Sequence, residues 1–191
     1  MREQIIVRNE DLTIKNQLLS KLKELRPSII GIDGEDGVGK STKIAPFLSE
    51  QLGGAIISLD NYLVKNKGGY VEYLKYEALR NDLLNLLEKS QPIIIEGLMF
   101  LDVAKKIGIQ QDYLIYACCD LWFYHWTEED GNYNNHGTLE EIIGQEENKV
   151  GIIAKVLTPK EPYHMEGMRR ELFAYTYGWR PLLKAEAVWI A

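Results

Sequence analysis

The most constraining feature of this sequence is a glycine-rich stretch at residues 34–41, which fits the pattern G-x-x-x-x-G-K-[ST] at every required position. A loop of this type needs a buried strand before it and a helix after it. Both are present, because an apolar run at 28–32 precedes the motif and a helical pattern over about 40–52 follows it. A chance glycine-rich turn, which is the structural alternative, would not require this context. The motif therefore predicts a strand–loop–helix unit.

The residue types in this loop are those that bind phosphate. Glycines let successive backbone N–H groups turn toward a phosphate oxygen, and the following helix adds the partial positive charge of its N-terminus. We expect the Lys40 ammonium to reach the β- and γ-phosphates and the Ser41 hydroxyl to ligate Mg²⁺. The loop thus predicts a site for a nucleoside triphosphate with Mg²⁺. The residues predicted to bind the nucleotide are Gly34, Glu35, Asp36, Gly37, Val38, Gly39, Lys40, Ser41 and Thr42.

Short apolar runs alternate with helical patterns along the chain. The apolar runs predict buried strands at 28–32, 55–59, 92–95, 113–117 and 187–190. Helical spacing predicts helices at about 11–26, with Asp11 as N-cap, at 40–52 and at 71–89, and a capping box of Thr138 with Glu141 predicts another. This alternation indicates an α/β fold of the P-loop kinase type, a parallel sheet of about five strands with helices on both faces. The length of 191 residues favours a single domain over residues 1–191.

Two acidic residues follow predicted strands directly. Asp60 comes after the strand at 55–59, and Glu96 after the strand at 92–95. Because ligands of open α/β sheets bind at the carboxyl ends of the strands, both side chains are expected to face the triphosphate. They are candidates to hold Mg²⁺ or to accept the proton of an attacking hydroxyl. The alternative is that each acid merely caps a helix or a turn.

Composition limits the classes of partner. The net charge of −6 argues against nonspecific binding to nucleic acid or to an anionic membrane, since both would be repelled. The N-terminus has no apolar run typical of a signal peptide, and no stretch approaches the roughly 18 apolar residues of a membrane span. The only cysteines, Cys118 and Cys119, are adjacent and poorly placed for a disulfide bond. We therefore expect a cytoplasmic protein with reduced thiols.

Four segments of the chain resemble the uridine kinase family of P-loop nucleoside and small-metabolite kinases. They read GEDGVGKST at 34–42, ISLDNYL at 57–63, IIIEGLMFLD at 93–102, and YGWRP at 177–181 with a Lys-Ala pair at 184–185. The resemblance implies that Asp60 is the catalytic base and Glu96 a magnesium-associated acid. It further implies transfer of the γ-phosphoryl group of ATP to a hydroxyl of a small molecule, such as a nucleoside or a related metabolite.

The chain departs from that family pattern in two places. The predicted helix ending near Lys89 is followed almost at once by a strand, where uridine kinases carry a β-hairpin around the nucleoside base. The family's lid arginines are also missing, since the segment after the fourth strand is acidic and aromatic. Arg169 and Arg170 are candidates to supply that charge as catalytic residues, and a surface role is the alternative. His164 and Lys160 lie upstream of them.

These departures leave two functional hypotheses open. The first is a small-molecule kinase that uses ATP and Mg²⁺, and the second is a nucleotide-binding P-loop protein without kinase activity, a regulatory or degenerate relative. The expected partner is a small-molecule acceptor, with neither nucleic acid nor membrane involved. The identity of the acceptor, the base preference for the nucleotide and the choice between monomer and homodimer do not follow from the sequence.

Overall fold

The protein contains a six-stranded sheet in which every pairing is parallel. The computed structural model describes residues 4–65, 67–119, 141, 144 and 167–191. The strand order is β1-β6-β5-β2-β4-β3. The strands are β1 Ile5–Arg8, β2 Ile29–Gly34, β3 Ala55–Ser58, β4 Ile93–Glu96, β5 Tyr113–Cys118 and β6 Ala187–Ile190. Because all strands run the same way, their carboxyl ends meet at one edge of the sheet.

Helices connect the strands and cover both faces. The α-helices are α1 Leu12–Leu25, α2 Ala45–Leu52, α3 Tyr76–Leu87, α4 Phe100–Ile107, α5 Gly167–Trp179 and α6 Pro181–Lys184. A wide, π-helical turn at Lys40–Ile44 leads into α2, and 3₁₀ turns lie at Leu59–Tyr62 and Val71–Tyr73. Asp11 caps α1 as expected, because its carboxylate accepts the N–H groups of Thr13 and Ile14 at 3.0 Å. The helix predicted to begin at Thr138 and the residues His164 and Lys160 lie outside the described ranges.

The core consists of two apolar layers, one on each face of the sheet. Strands β2 and β5 are buried along their whole length, as continuous apolar runs require when both faces are covered. Leu18 and Leu22 of α1 and Leu48 of α2 pack on one face. Residues of α3, α4 and α6, with Tyr175 of α5, pack on the other. The predicted α/β fold with a parallel sheet and helices on both faces is confirmed.

Three details differ from the sequence-based expectation. The sheet has six strands rather than about five, because the N-terminal strand β1 pairs with β6 at the sheet edge. This strand has only four residues, and its apolar run of three, Ile5 to Val7, is shorter than the runs that predict a strand. The helix expected at 71–89 is interrupted at Leu74, which forms an antiparallel bridge with Leu63. Glu96 is the last residue of β4 rather than the residue after it.

None of the helices in the described ranges is long and apolar enough to cross a membrane.

Candidate functional site

The glycine-rich loop begins at the end of the central strand β2, between β4 and β5. Gly34, its first residue, has φ +130°, and a Cβ atom there would lie 1.9 Å from the carbonyl oxygen of Ala117 on β5. Only glycine permits this close approach of two backbones. Gly37 and Gly39 also have positive φ angles, 75° and 81°, which turn the chain back toward the helix. The glycines therefore perform the backbone role predicted from the motif.

The helical segment after the loop presents an open N-terminus. Gly39 is its N-cap, and no side chain in the described part of the chain caps it by a hydrogen bond. The first N–H groups of a helix have no partner within the helix, so they are available to an anion. Ser41 and Thr42 are exposed in this first turn. The loop and the turn together have the chemistry of a phosphate site.

Lys40 is buried at the base of the loop, with 8% of its surface exposed. Its ammonium donates hydrogen bonds to the carbonyl oxygen of Gly34 at 3.1 Å and to that of Glu35. Burial lowers the pKa of Lys40, and the negative charges of nearby carboxylates oppose this effect. Those carboxylates belong to Asp33, Glu96, Asp36 and Asp60. The negative charges of both predicted strand-end acids, Glu96 and Asp60, thus favour the charged form of Lys40.

Glu35 anchors the loop to the end of β5. Its carboxylate accepts the backbone N–H of Cys119 at 3.1 Å, and its own N–H donates to the carbonyl oxygen of Ala117 at 3.0 Å. Burial raises the pKa of Glu35, whereas hydrogen bonds from Cys119 and the charge of Lys40 lower it. The Glu35 side chain and backbone therefore fasten the loop to the end of β5.

Glu96 lies at the end of β4, where 2% of its surface is exposed. Among the described residues its Oε1 atom is the one buried side-chain oxygen or nitrogen without a hydrogen-bond partner. Burial raises the pKa of Glu96, opposed mainly by a hydrogen bond from Ser58; the charge of Asp60 adds to the rise and that of Lys40 opposes it. A buried carboxylate oxygen without a partner is costly, and a hard cation or its water would satisfy it. The residues present at this edge therefore fit Mg²⁺.

Asp60 occupies the second position of the 3₁₀ turn after β3 and is exposed. Its Oδ1 accepts the hydroxyl of the buried Tyr70 at 2.7 Å. In the described ranges no group of three or more His, Cys, Asp or Glu side chains is arranged to hold a metal ion alone. A Mg²⁺ ion bound through one or two carboxylates and phosphate oxygens does not need such a group.

Asp33, immediately before the loop, is a buried acid that the sequence patterns did not single out. Its Oδ1 accepts the N–H groups of Gly34 at 2.8 Å and Phe100 at 3.3 Å, and its Oδ2 accepts the hydroxyl of Tyr175. Burial raises its pKa to about 6 despite these hydrogen bonds and the charge of Lys40. The available signal was a charged residue that ends an apolar run directly before the motif. Asp33 connects the loop to the start of α4.

Replacing Asp33 by asparagine is expected to stabilise the protein at neutral pH relative to the wild type. A pKa raised from 3.8 to about 6 means that ionising the buried carboxyl costs folding free energy, up to about 3 kcal/mol, as pH rises through this window. The amide of the Asp33→Asn variant would keep the shape of the carboxyl group without its charge. Urea unfolding at pH 4 and pH 7.5 measures the effect. A free-energy difference between variant and wild type that is the same at both pH values would contradict it.

The two arginines proposed for the reaction lie at the start of α5. Arg170 is exposed, and the side chain of Arg169 is outside the described part of the chain. Their catalytic role therefore stays a prediction. From the same helix, Glu171 and Tyr175 form hydrogen bonds with residues of the site.

Compared with models of known protein families and with curated protein sequences, the chain has no significant match. The resemblance to uridine kinases in four short segments therefore stays a prediction.

Proposed function

We propose that this protein is an ATP-dependent phosphotransferase that moves the γ-phosphoryl group to a hydroxyl of a small molecule, such as a nucleoside or a related metabolite. One observation carries the proposal. A glycine-rich loop with the buried Lys40 begins at the end of β2, and Glu96 and Asp60 lie at the ends of β4 and β3 on the same edge of the sheet. Phosphoryl transfer requires this combination of phosphate binding, charge neutralisation and a proton acceptor.

The loop would hold the triphosphate of ATP. Its backbone N–H groups and the open helix N-terminus face the phosphates, and Lys40 exchanges the carbonyl oxygens of Gly34 and Glu35 for phosphate oxygens. The ammonium keeps the number of hydrogen bonds that it donates, and it brings a positive charge to the β- and γ-phosphates. Binding energy is thus directed to the charge that develops during transfer.

Ser41, Glu96 and Asp60 would hold Mg²⁺, directly or through water. The support is the Oε1 atom of Glu96, buried and without a hydrogen-bond partner among the described residues. Bound Mg²⁺ neutralises charge on the β- and γ-phosphate oxygens.

Asp60 would act as the general base. It is exposed at the sheet edge, where an acceptor can approach, and it has an oxygen that the Tyr70 hydroxyl does not use. The acceptor hydroxyl gives its proton to Asp60 while its oxygen forms a bond to the γ-phosphorus. The bond to the β–γ bridging oxygen breaks, and ADP leaves. Arg169 and Arg170 remain candidates to neutralise charge on the transferred group.

The second candidate is a nucleotide-binding protein without kinase activity. The connection between α3, which ends at Leu87, and β4, which begins at Ile93, leaves no room for the hairpin that covers the acceptor in uridine kinases. This candidate predicts ATP binding without acceptor-dependent turnover. It also predicts that Asp60→Asn leaves nucleotide affinity unchanged.

The deciding experiment incubates the protein with Mg-ATP and a panel of nucleosides, sugars and vitamins. ADP release is measured, with a Lys40→Ala variant as the background. At least one acceptor is expected to raise ADP release above that background. If none does, the kinase proposal is wrong, and ATP binding measured by calorimetry then decides whether the second candidate holds.

We also propose a cytoplasmic location, supported by the adjacent Cys118 and Cys119, neither of which is in a disulfide bond.

A further inference from the structure

The Tyr70 hydroxyl lies between the two strand-end acids. It donates to Oδ1 of Asp60 at 2.7 Å and accepts the backbone N–H of Leu98 at 3.3 Å, two residues beyond Glu96. A backbone N–H can only donate, so the single proton of the hydroxyl is directed to Asp60. The orientation of the hydrogen bond is therefore determined.

Gly97 makes this arrangement sterically feasible. A Cβ atom at this position would lie 2.8 Å from the Tyr70 hydroxyl and 2.7 Å from Cβ of Leu59. The glycine after Glu96 thus gives Tyr70 access to Asp60. This gives the Glu-Gly pair at the end of β4 a packing function in this chain.

Glu171 of α5 binds the backbone at Tyr70 and Val71 through hydrogen bonds. Its two carboxylate oxygens accept the backbone N–H groups of Tyr70 at 2.7 Å and Val71 at 2.8 Å. Charge-assisted bonds to two adjacent N–H groups restrain both the position and the direction of the backbone. Tyr70, of which 1% is exposed, is consequently held at both its main chain and its hydroxyl.

The same helix holds the strand that leads into the phosphate loop. Tyr175, one turn after Glu171, donates its hydroxyl proton to Asp33 and accepts the N–H of Leu101 at 3.2 Å. Residues four apart lie on one face of a helix. One face of α5 therefore contacts both the segment behind Asp60 and the residue before Gly34.

We propose that Tyr70 and Glu171 are positioning residues that hold the Asp60 carboxylate at a fixed place relative to the phosphate loop. Glu171 acts through Tyr70, and Tyr70 acts through its hydrogen bond to Oδ1, so Oδ2 of Asp60 takes no part in that bond. The consequence for catalysis rests on the proposed kinase function, whereas the restraint on Asp60 does not. Positioning of this kind matters because a small displacement of a catalytic group reduces the rate strongly.

The restraint is tested without turnover by NMR of protein labelled with ¹³C at the aspartate carboxyl carbons. Tyr70→Phe and Glu171→Gln are each expected to shift the Asp60 resonance, although Glu171 does not contact Asp60. In a Tyr70→Phe background, Glu171→Gln is expected to add no further shift. Tyr113→Phe is the matched control, because it removes a hydroxyl from another buried tyrosine at the opposite end of the sheet. An Asp60 resonance that neither variant moves would overturn the proposal.

Steady-state kinetics with an active acceptor tests the consequence. Tyr70→Phe is expected to lower kcat about tenfold, the effect of one lost hydrogen bond, while KM for ATP stays within about twofold. Glu171→Gln gives a second measurement if the first variant folds poorly. Shifted resonances with unchanged kcat would overturn the positioning role. If wild-type protein shows no acceptor-dependent turnover, the kinase proposal fails, and the NMR result alone decides whether the restraint exists.

Discussion

Gly34→Ala is expected to lower the free energy of unfolding by more than about 4 kcal/mol or to prevent folding. Two effects act together at this position. The φ angle of +130° is one that residues with a side chain rarely adopt, and the new Cβ would lie 1.9 Å from the Ala117 carbonyl oxygen. Because that oxygen belongs to the backbone of β5, no side-chain rotation can relieve the overlap. Strands β2 and β5 would have to separate at the centre of the sheet.

Gly37→Ala is the matched control, since it lies in the same loop with φ +75°, and the described residues place no contact within 4 Å of the new Cβ. Its free energy of unfolding should fall by only about 1 kcal/mol, the cost of a left-handed conformation for alanine. Urea unfolding followed by circular dichroism compares the two variants. Equal losses of stability in both would show that the contact between Gly34 and β5 does not restrict this position.

Asp60→Asn is expected to reduce kcat by about 10²–10⁴-fold, the range for loss of a general base. Asparagine keeps the carbonyl oxygen that accepts the Tyr70 hydroxyl, so the local structure is preserved. It cannot accept the proton of the acceptor hydroxyl. KM for ATP should change by no more than a few-fold, because the loop residues hold the triphosphate. Initial rates at saturating Mg-ATP and acceptor measure the effect.

Asp82→Asn is the control for this substitution. Asp82 is also exposed and also accepts a tyrosine hydroxyl at 2.7 Å, from Tyr62, but it lies on α3. It should keep the wild-type rate. A titration with Mg²⁺ separates the two roles predicted for Asp60, since a rate restored by higher Mg²⁺ would indicate a metal ligand and not a base. If Asp60→Asn were as active as Asp82→Asn, Asp60 could be neither.

Much of the fold follows from patterns between residues that are close in sequence. Each of the five longer apolar runs forms a strand in the structure. Asp11 caps α1, as its position before the leucine pattern predicts. The strand β1 was missed because its apolar run, Ile5 to Val7, is only three residues long. Asp33 was missed for a related reason, since a charged residue at the end of an apolar run indicates the end of burial.

The candidate site shows the same division. The glycine-rich turn between β2 and the following helix was predicted from its motif, because a backbone with these φ angles favours glycines at those spacings. The convergence of Asp60 and Glu96 also followed, since parallel strands end at one edge. The contacts that hold the site together could not be predicted from the sequence. The hydrogen bond between Tyr70 and Glu171 joins residues 101 positions apart in the sequence. The hydrogen bond between Asp33 and Tyr175 joins residues 142 positions apart.

The glycine-rich loop, the parallel sheet and the two acids at its edge were predictable from the amino-acid sequence. Each depends on spacing within a few residues or on the direction of a strand. Three features became visible only in the folded chain: the burial of Lys40 and Asp33, the Oε1 atom of Glu96 without a hydrogen-bond partner among the described residues, and the hydrogen bond from Tyr70 to Asp60. They depend on how segments distant in the sequence pack against each other. Whether two groups form a hydrogen bond depends on tenths of an ångström, and no local sequence pattern encodes distances that fine.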